Sequence, residues 1–380
     1  MRRKIGRNEN RHFALHRPLS PGFCIPGGRR RRRIDLPPRS RHPLPMPSPA
    51  LSTAWNASKH RDGKAMLAEA ASLGFARVEL GHAVRYSLCP GILDAVREGI
   101  AAISSVHNFC PVPLEVSRPS PNAFEFSDPR ARQRALAVQY TLETLDFACR
   151  VGAPAVVLHL GRVERDPRHG ISRKLADLWD EGRFLKRDYT RAKLSAVVAR
   201  RKAFDAVYGR VRPCLETVVA AARERGLRLG FECREDYGEF PDELEMEQCL
   251  ADFPPEVVGY WHDFGHAQRK AYLGWHDHAE TLARRRPRLL GCHIHDCTPP
   301  DHDHRPLLPE GTAIDFPRLI PLLPESCIEV LELSPRTKVE DVVKSRLTWE
   351  ALRTHHSSQA ALSLSHVPSG AQGSSGFLSS

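Results

Sequence analysis

The 380-residue chain has no run of 18 or more apolar residues, so no membrane-spanning helix is expected. Its ten cysteines include no C-x-x-C pair, which argues against a thioredoxin-like redox motif and against a ribbon-type zinc site. Several of them fall in apolar runs and read as reduced, buried thiols of a cytoplasmic protein. No G-x-G-x-x-G follows the first apolar run, which weighs against an open dinucleotide-binding sheet. The N-terminus has no apolar h-region, so it is not a secretory signal. Beyond residue 45 the chain also lacks excess charge, with 43 Lys+Arg against 43 Asp+Glu. The whole net charge of +11 sits in residues 1–45, which hold 13 Lys+Arg and only two acids, Glu9 and Asp35. A protein that tracks a phosphate backbone normally carries basic surface on its folded part, so nucleic acid is not the expected partner.

What is present is organised in three stretches. Residues 1–45 are rich in Arg, Pro and Gly, lack apolar periodicity and are expected to be disordered. Such a leader reads as an organellar transit segment, as a nucleic-acid-binding arm, or as sequence upstream of a native start at Met46. The change of composition at Met46 favours the last. Residues 46–354 are expected to form one domain. Residues 355–380 are Ser/Gly-rich and are expected to be a second disordered tail.

Within the middle stretch short apolar runs alternate with helical patterns. Strands are expected at 50–55, 75–80, 102–107, 155–160, 227–233, 257–261, 289–295 and 327–333. Helices are expected at 59–73, 91–99, 129–150, 191–225, 242–250, 268–285, 315–323 and 339–352. Gly74 and Gly226 end two of the helices, and Asp128-Pro129 reads as a helix cap with Pro at the first position. Eight apolar strands alternating with eight helices in about 300 residues suit an α/β, closed (β/α)8 TIM barrel. Residues 161–190 stand out as a long charged insertion, either a lid or a surface excursion.

In such a barrel the chemistry lies at the C-terminal strand ends. Seven of the eight expected strands finish in, or run into, a side chain that can bind a metal ion. These are Glu79, His107, His159, Glu232, the pair Asp263 and His266, the pair His293 and His295, and Glu332. Carboxylates and imidazoles converging from several segments are what hard and borderline divalent ions require. A stretch DHDHRPLLPEG (Asp301 to Gly311) adds Asp301, His302, Asp303 and His304.

These residues resemble the xylose isomerase-like TIM-barrel superfamily, which includes sugar-phosphate isomerases and epimerases and the endonuclease IV type AP endonucleases. FECRE resembles its glutamate motif, WHDFGHA its D-x-x-H motif, HIHD its histidine–carboxylate motif and LELSP its terminal glutamate. The resemblance implies a divalent ion (Mn2+, Zn2+ or Mg2+) held by Glu232, Asp263, His295 and Glu332. Glu232 and Glu332 would shuttle the proton. It also implies further metal candidates at His107, His159, His266, Asp301 and His304, the DHDH run offering more than one alignment. His266, Arg234, Glu79 and His293 would contact substrate, and Arg162, Arg165 or Arg168 would clamp a phosphate.

The implied activity is a metal-dependent sugar or sugar-phosphate isomerase or epimerase working through an enediolate. Its expected partner is a small-molecule sugar or sugar phosphate, with self-association left open. The alternative is a zinc-dependent AP endonuclease-like phosphodiesterase, favoured by the extra histidines and opposed by the neutral folded part. A barrel that has lost its activity is the third reading, opposed by the intact set of ligand types.

Overall fold

The computed structural model describes residues 48–163, 170–298 and 302–365. Expectations for residues 1–45, for a start at Met46, for Arg165, Arg168 and Asp301, and for the end of the C-terminal tail lie outside the described residues. The strands, in chain order, are β1 (Ala50–Ser52), β2 (Arg77–Leu80), β3 (Ala102–His107), β4 (Ala155–Leu158), β5 (Gly161–Arg162), β6 (Arg228–Glu232), β7 (Glu239–Phe240), β8 (Val258–Asp263), β9 (Leu289–Ile294), β10 (Asp296–Thr298), β11 (His302–Arg305) and β12 (Ile328–Leu331). Eight of them close into a barrel in the order β1-β12-β9-β8-β6-β4-β3-β2. The pairings around the ring are parallel.

The barrel forms because its strands are apolar on both faces. The residues of β1, β4, β8 and β9 are all buried, which needs helices outside and a filled interior. The interior below the polar ends is filled by one indole. Trp261 is fully buried among Ala50, Ala155, Val157, Leu290 and Val330. Its neighbours on the flanking strands are glycines. A Cβ on Gly291 would lie 2.3 Å from the Trp261 ring, and one on Gly230 2.8 Å. The sequence uses glycine here for clearance, not flexibility. Removing such a side chain costs about 3–5 kcal/mol.

Helix ends explain most of the spacing. Gly152 and Gly226 adopt φ of 71° and 67° just past long helices, a conformation glycine accepts without penalty. Four expectations need correction. The helix expected at 268–285 is two, Phe264–Tyr272 and His278–Arg285, separated around Gly274 at φ 70°. The second restarts because the Asp277 side chain accepts from the Glu280 amide at 2.8 Å. Asp128 does not cap a helix. It accepts from the Arg130 amide at 2.7 Å and pairs with its guanidinium, so the helix starts at Ala131. The last helix, expected to stop at Leu352 ahead of a disordered tail from 355, continues over Val339–Ser365.

The fourth correction concerns the helix expected at 191–225, which begins inside the 161–190 segment, at Arg187; other described residues of that segment carry elements of their own. β5 pairs antiparallel with β7. Helix Ile171–Asp180 and the start of the 38-residue helix Arg187–Glu224 follow. Leu175, Leu178, Tyr189 and Ala192 form a small separate core with Leu273. That apolar contact fixes the segment to the loop after helix Phe264–Tyr272. A further ribbon, β10 with β11, was not expected either; it carries His304 to the barrel mouth. Among the described residues no helix is long and apolar enough to cross a membrane.

Candidate metal centre and active site

Register decides which strand-end side chains meet. On β8 and β9, Asp263 lies opposite His293, and on β12 and β9, Val330 lies opposite His293. Glu332, just past β12, donates its amide to the Ile294 carbonyl at 3.1 Å. His293 therefore points into the barrel at the level of the three acidic strand ends. His295 has already left β9.

The result is a buried quartet. One ligand atom from each of Glu232, Asp263, His293 and Glu332 lies within 4.8 Å of the other three. Around His293 Nδ1, Glu232 Oε1 stands at 3.1 Å, Glu332 Oε2 at 3.2 Å and Asp263 Oδ2 at 3.7 Å. The convergent set differs from the expected one by a single residue, His293 standing in place of His295. His293, expected as a substrate contact, lies within this buried group of ligand types.

The other imidazole nitrogen explains Glu79. His293 Nε2 lies 3.2 Å from both Glu79 oxygens, and Ser105 Oγ donates to Glu79 at 2.8 Å. Glu79 is fully buried behind the ring, so the expectation that it touches substrate is corrected. It is a carboxylate behind a ligand-type histidine, which fixes the ring and raises its basicity. Burial opposes charge on His293. The carboxylates of Glu332, Glu79 and Glu232 outweigh it and hold the imidazole pKa well above its usual value.

His295 belongs instead to a neighbouring close group with His304 and Glu332. Its Nε2 lies 3.0 Å from Asp263, and its Nδ1 accepts from the His304 amide at 2.9 Å. It fastens the β10–β11 ribbon to Asp263. Gly265 makes the necessary space, since a Cβ there would lie 2.1 Å from the His295 ring. Asp263 itself caps helix Phe264–Tyr272 by accepting from the His266 amide at 2.7 Å.

On the opposite side of Glu232 stand two more histidines. His107 Nε2 lies 3.1 Å and His159 Nε2 2.8 Å from Glu232 Oε2. Each ring has another partner at Nδ1, the Asn108 carbonyl at 3.0 Å for His107 and Asn122 Oδ1 at 2.9 Å for His159. Burial opposes protonation of His107, but Glu232 and Glu332 raise its affinity for a proton. Burial and then the Arg234 charge depress that of His159 well below normal. Burial likewise works against an ionised Glu232, yet His159 and His293 hold its pKa well below the carboxylate range.

The remaining candidates line a cavity of about 290 Å³ above the quartet, with walls that include His82, Asn122, Arg234, His266 and His304. His266 places Nδ1 3.1 Å from the Cys233 carbonyl, leaving Nε2 toward Asp303 at 3.9 Å. With Asp303 and His304 it forms a second close group of ligand types. Asp303 is the described acid of the DHDH run there. Arg234 was expected to hold substrate. Its guanidinium is occupied by Glu239, at 2.6 Å, and by His159 Nε2. Arg162 is similarly engaged by Glu125 at 2.5 Å.

Sequence reading missed His82. It lies two residues beyond β2, lines the cavity, and its Nδ1 is buried without a hydrogen-bond partner. Its place just past a strand end was the available signal.

The comparisons with known proteins agree with the barrel fold. A family model described as xylose isomerase-like TIM barrel matches residues 67–342. A search of curated protein sequences finds no relative. A solved D-tagatose 3-epimerase-like protein shares 15% identity over 82% of this chain and 98% of its own, with a TM-score of 0.58. L-Ribulose 3-epimerase shares 13% over 84% and 99%, also at 0.58. The 3-keto-D-glucoside 4-epimerase from E. coli shares 16% over 81% and 99%, at 0.55. Such identities speak for the fold alone; the family model spans most of the barrel that carries the buried quartet. The chain belongs to the xylose isomerase-like TIM barrel family.

Proposed function

We propose that the chain is a divalent-metal-dependent sugar isomerase or epimerase. The observation that carries this reading is the quartet Glu232, Asp263, His293 and Glu332. The residues fit a cation on their own chemistry. Three carboxylate oxygens approach a single ring nitrogen, which bears at most one hydrogen. All four side chains are at most 6% exposed, and the ion-pair partners of the three carboxylates are histidines. Buried carboxylates in that excess call for a metal charge. Three oxygens and one nitrogen suit Mn2+, Mg2+ or Zn2+. When bound, the ion would supply Lewis-acid polarisation of a substrate carbonyl.

The chain's own groups supply the proton chemistry. β6 and β12 are separated by β8 and β9 around the ring, so Glu232 and Glu332 reach the cavity from well-separated sides. A carbon acid bound between them can lose its proton to one of them as carboxylate and take a proton on the other face from the other as carboxylic acid. His107 and His293, both raised in proton affinity, lie against Glu232 and favour its ionised form. His82 and His266 line the cavity, and their imidazoles can orient hydroxyl groups. The named epimerases among the structural neighbours act on sugars, which supports the substrate class.

The test combines metal analysis by mass spectrometry with a panel of ketoses in deuterated solvent. Expected are about one bound divalent ion at this quartet and deuterium incorporation next to the carbonyl, lost in E232Q and in E332Q. A purified protein that retains no metal and exchanges no ketose would overturn the reading.

A second reading has its own observation. His107 and His159 converge on the far oxygen of Glu232, and His266, Asp303 and His304 form a further ligand group. A zinc phosphodiesterase acting at abasic DNA would use such adjacent sites. Robust metal-dependent nicking of an abasic duplex would favour it over the isomerase.

A further inference from the structure

A second cavity, about 450 Å³, adjoins the first and shares Asp303 and His304 with it. Its other walls include Arg305, Ser334, Arg336, Thr337, Lys338 and Asp341. Asp303 is held by Arg269 at 2.8 Å, and Asp341 lies 3.5 Å from Lys344. Both acids therefore have cations of their own. Arg305, Arg336 and Lys338 have no carboxylate within ion-pair distance among the described residues, in a barrel where many other arginines are paired. Three unmatched positive charges and two hydroxyls face one concavity.

The placement relative to the quartet is fixed by hydrogen bonds. The Ser334 amide donates to the His304 carbonyl at 3.0 Å, and the Thr337 amide to the Ser334 carbonyl at 2.9 Å. The loop after β12 is thus laced to the β10–β11 ribbon. Ser334 follows Glu332 by two residues, about 7 Å along an extended chain. That is the span from the carbonyl end of an extended ketose to a group on its terminal oxygen. Arginine pairs bidentately with phosphate, and lysine adds a point charge.

We propose that this cavity is a phosphate subsite and that the sugar substrate carries a terminal phosphomonoester. The proposal rests on the isomerase or epimerase reading of the quartet. It moves phosphate recognition away from the 161–190 segment, where Arg162, the described one of the three arginines expected to clamp a phosphate, is engaged by Glu125. The cavity wall formed by Arg305 on one side and by Arg336 and Lys338 on the other clasps the phosphate, and the sugar chain extends from it over His304 toward Glu332.

The experiment uses the full chain, as wild type, R305Q and R336Q/K338Q, with metal content measured for each. Inorganic phosphate is titrated by calorimetry. Ketose phosphates are compared with the corresponding free ketoses. Expected are phosphate binding by the wild type, weakened roughly tenfold or more in R336Q/K338Q at equal metal content, and a similar fall in the kcat/KM ratio of phosphorylated to free sugar. Equal phosphate binding by all three proteins would overturn the subsite, as would a preference for free ketoses indifferent to the substitutions. So would a dependence on these cations seen only in cleavage of an abasic duplex. Turnover of free ketoses without any phosphate effect removes the subsite and leaves the isomerase reading. Cation-dependent phosphate binding with no ketose turned over does the reverse.

Discussion

Glu79 offers a sharp test because it touches the proposed ion only through another residue. Its carboxylate lies 3.2 Å from His293 Nε2 and accepts from Ser105 at 2.8 Å. It is fully buried. Glu79→Gln keeps the shape and one acceptor oxygen but removes the charge that makes the imidazole a stronger donor to a cation. Removing such outer carboxylates typically weakens metal binding 10–100-fold, about 1.4–2.7 kcal/mol. A ligand stabilises the folded state in proportion to the logarithm of its concentration over Kd. The metal-dependent rise in Tm should therefore shrink by that free energy, a few degrees for a domain of this size. Calorimetric titration of Mn2+ or Zn2+ gives the affinity, and thermal melts with and without the ion give the increment. An E79Q protein that binds the ion within twofold of wild type would refute the argument that Glu79 acts through His293.

The two histidines of HIHD should behave differently. H293A is expected to lose stoichiometric metal binding, whereas H295A retains the ion with weakened affinity, both read by mass spectrometry after gel filtration. H82Q is expected to lower kcat/KM on the best ketose about tenfold with metal content unchanged, since a single hydrogen bond in the cavity is lost. An unaltered kcat/KM would remove His82 from substrate contact. Away from the site, Glu243 is paired with the buried Lys270. Burial disfavours its charge, yet Lys270 and His276 pull its pKa down to about 2. A carboxyl depressed on folding contributes stability above its unfolded pKa of about 4.3 and loses it as pH falls toward 2. That contribution is about 3 kcal/mol. E243Q should flatten the acid limb of the denaturant midpoint against pH between those values. An unchanged acid limb would contradict the pairing.

Much of the barrel was legible because its strands are short apolar runs punctuated by glycine. β3 falls where expected, and the other barrel strands lie within or beside their expected runs. The acidic members of the quartet were legible as strand ends. The choice between His293 and His295 was not. Residues two apart share a face, so period alone cannot separate them. The deciding fact is that β9 ends at Ile294 and its register sets His293 beside Asp263. The role of Glu79 depends on distances across the barrel, between residues 214 apart in the chain. Asp128-Pro129 carried a good capping signal, but a local pair with Arg130 took the carboxylate. The two small ribbons were hidden because their strands are two to four residues long, too short for a clear periodicity.

The indole of Trp261 sits directly beneath His293, ring centres 5.3 Å apart, and the glycines around it leave no lateral gap. The barrel is therefore filled on the side of the quartet away from the cavity, and the ribbon residues Asp303 and His304 form part of that cavity's wall. If the ribbon gates a bound ion, the rate at which a chelator removes the ion should change with substitutions at His304.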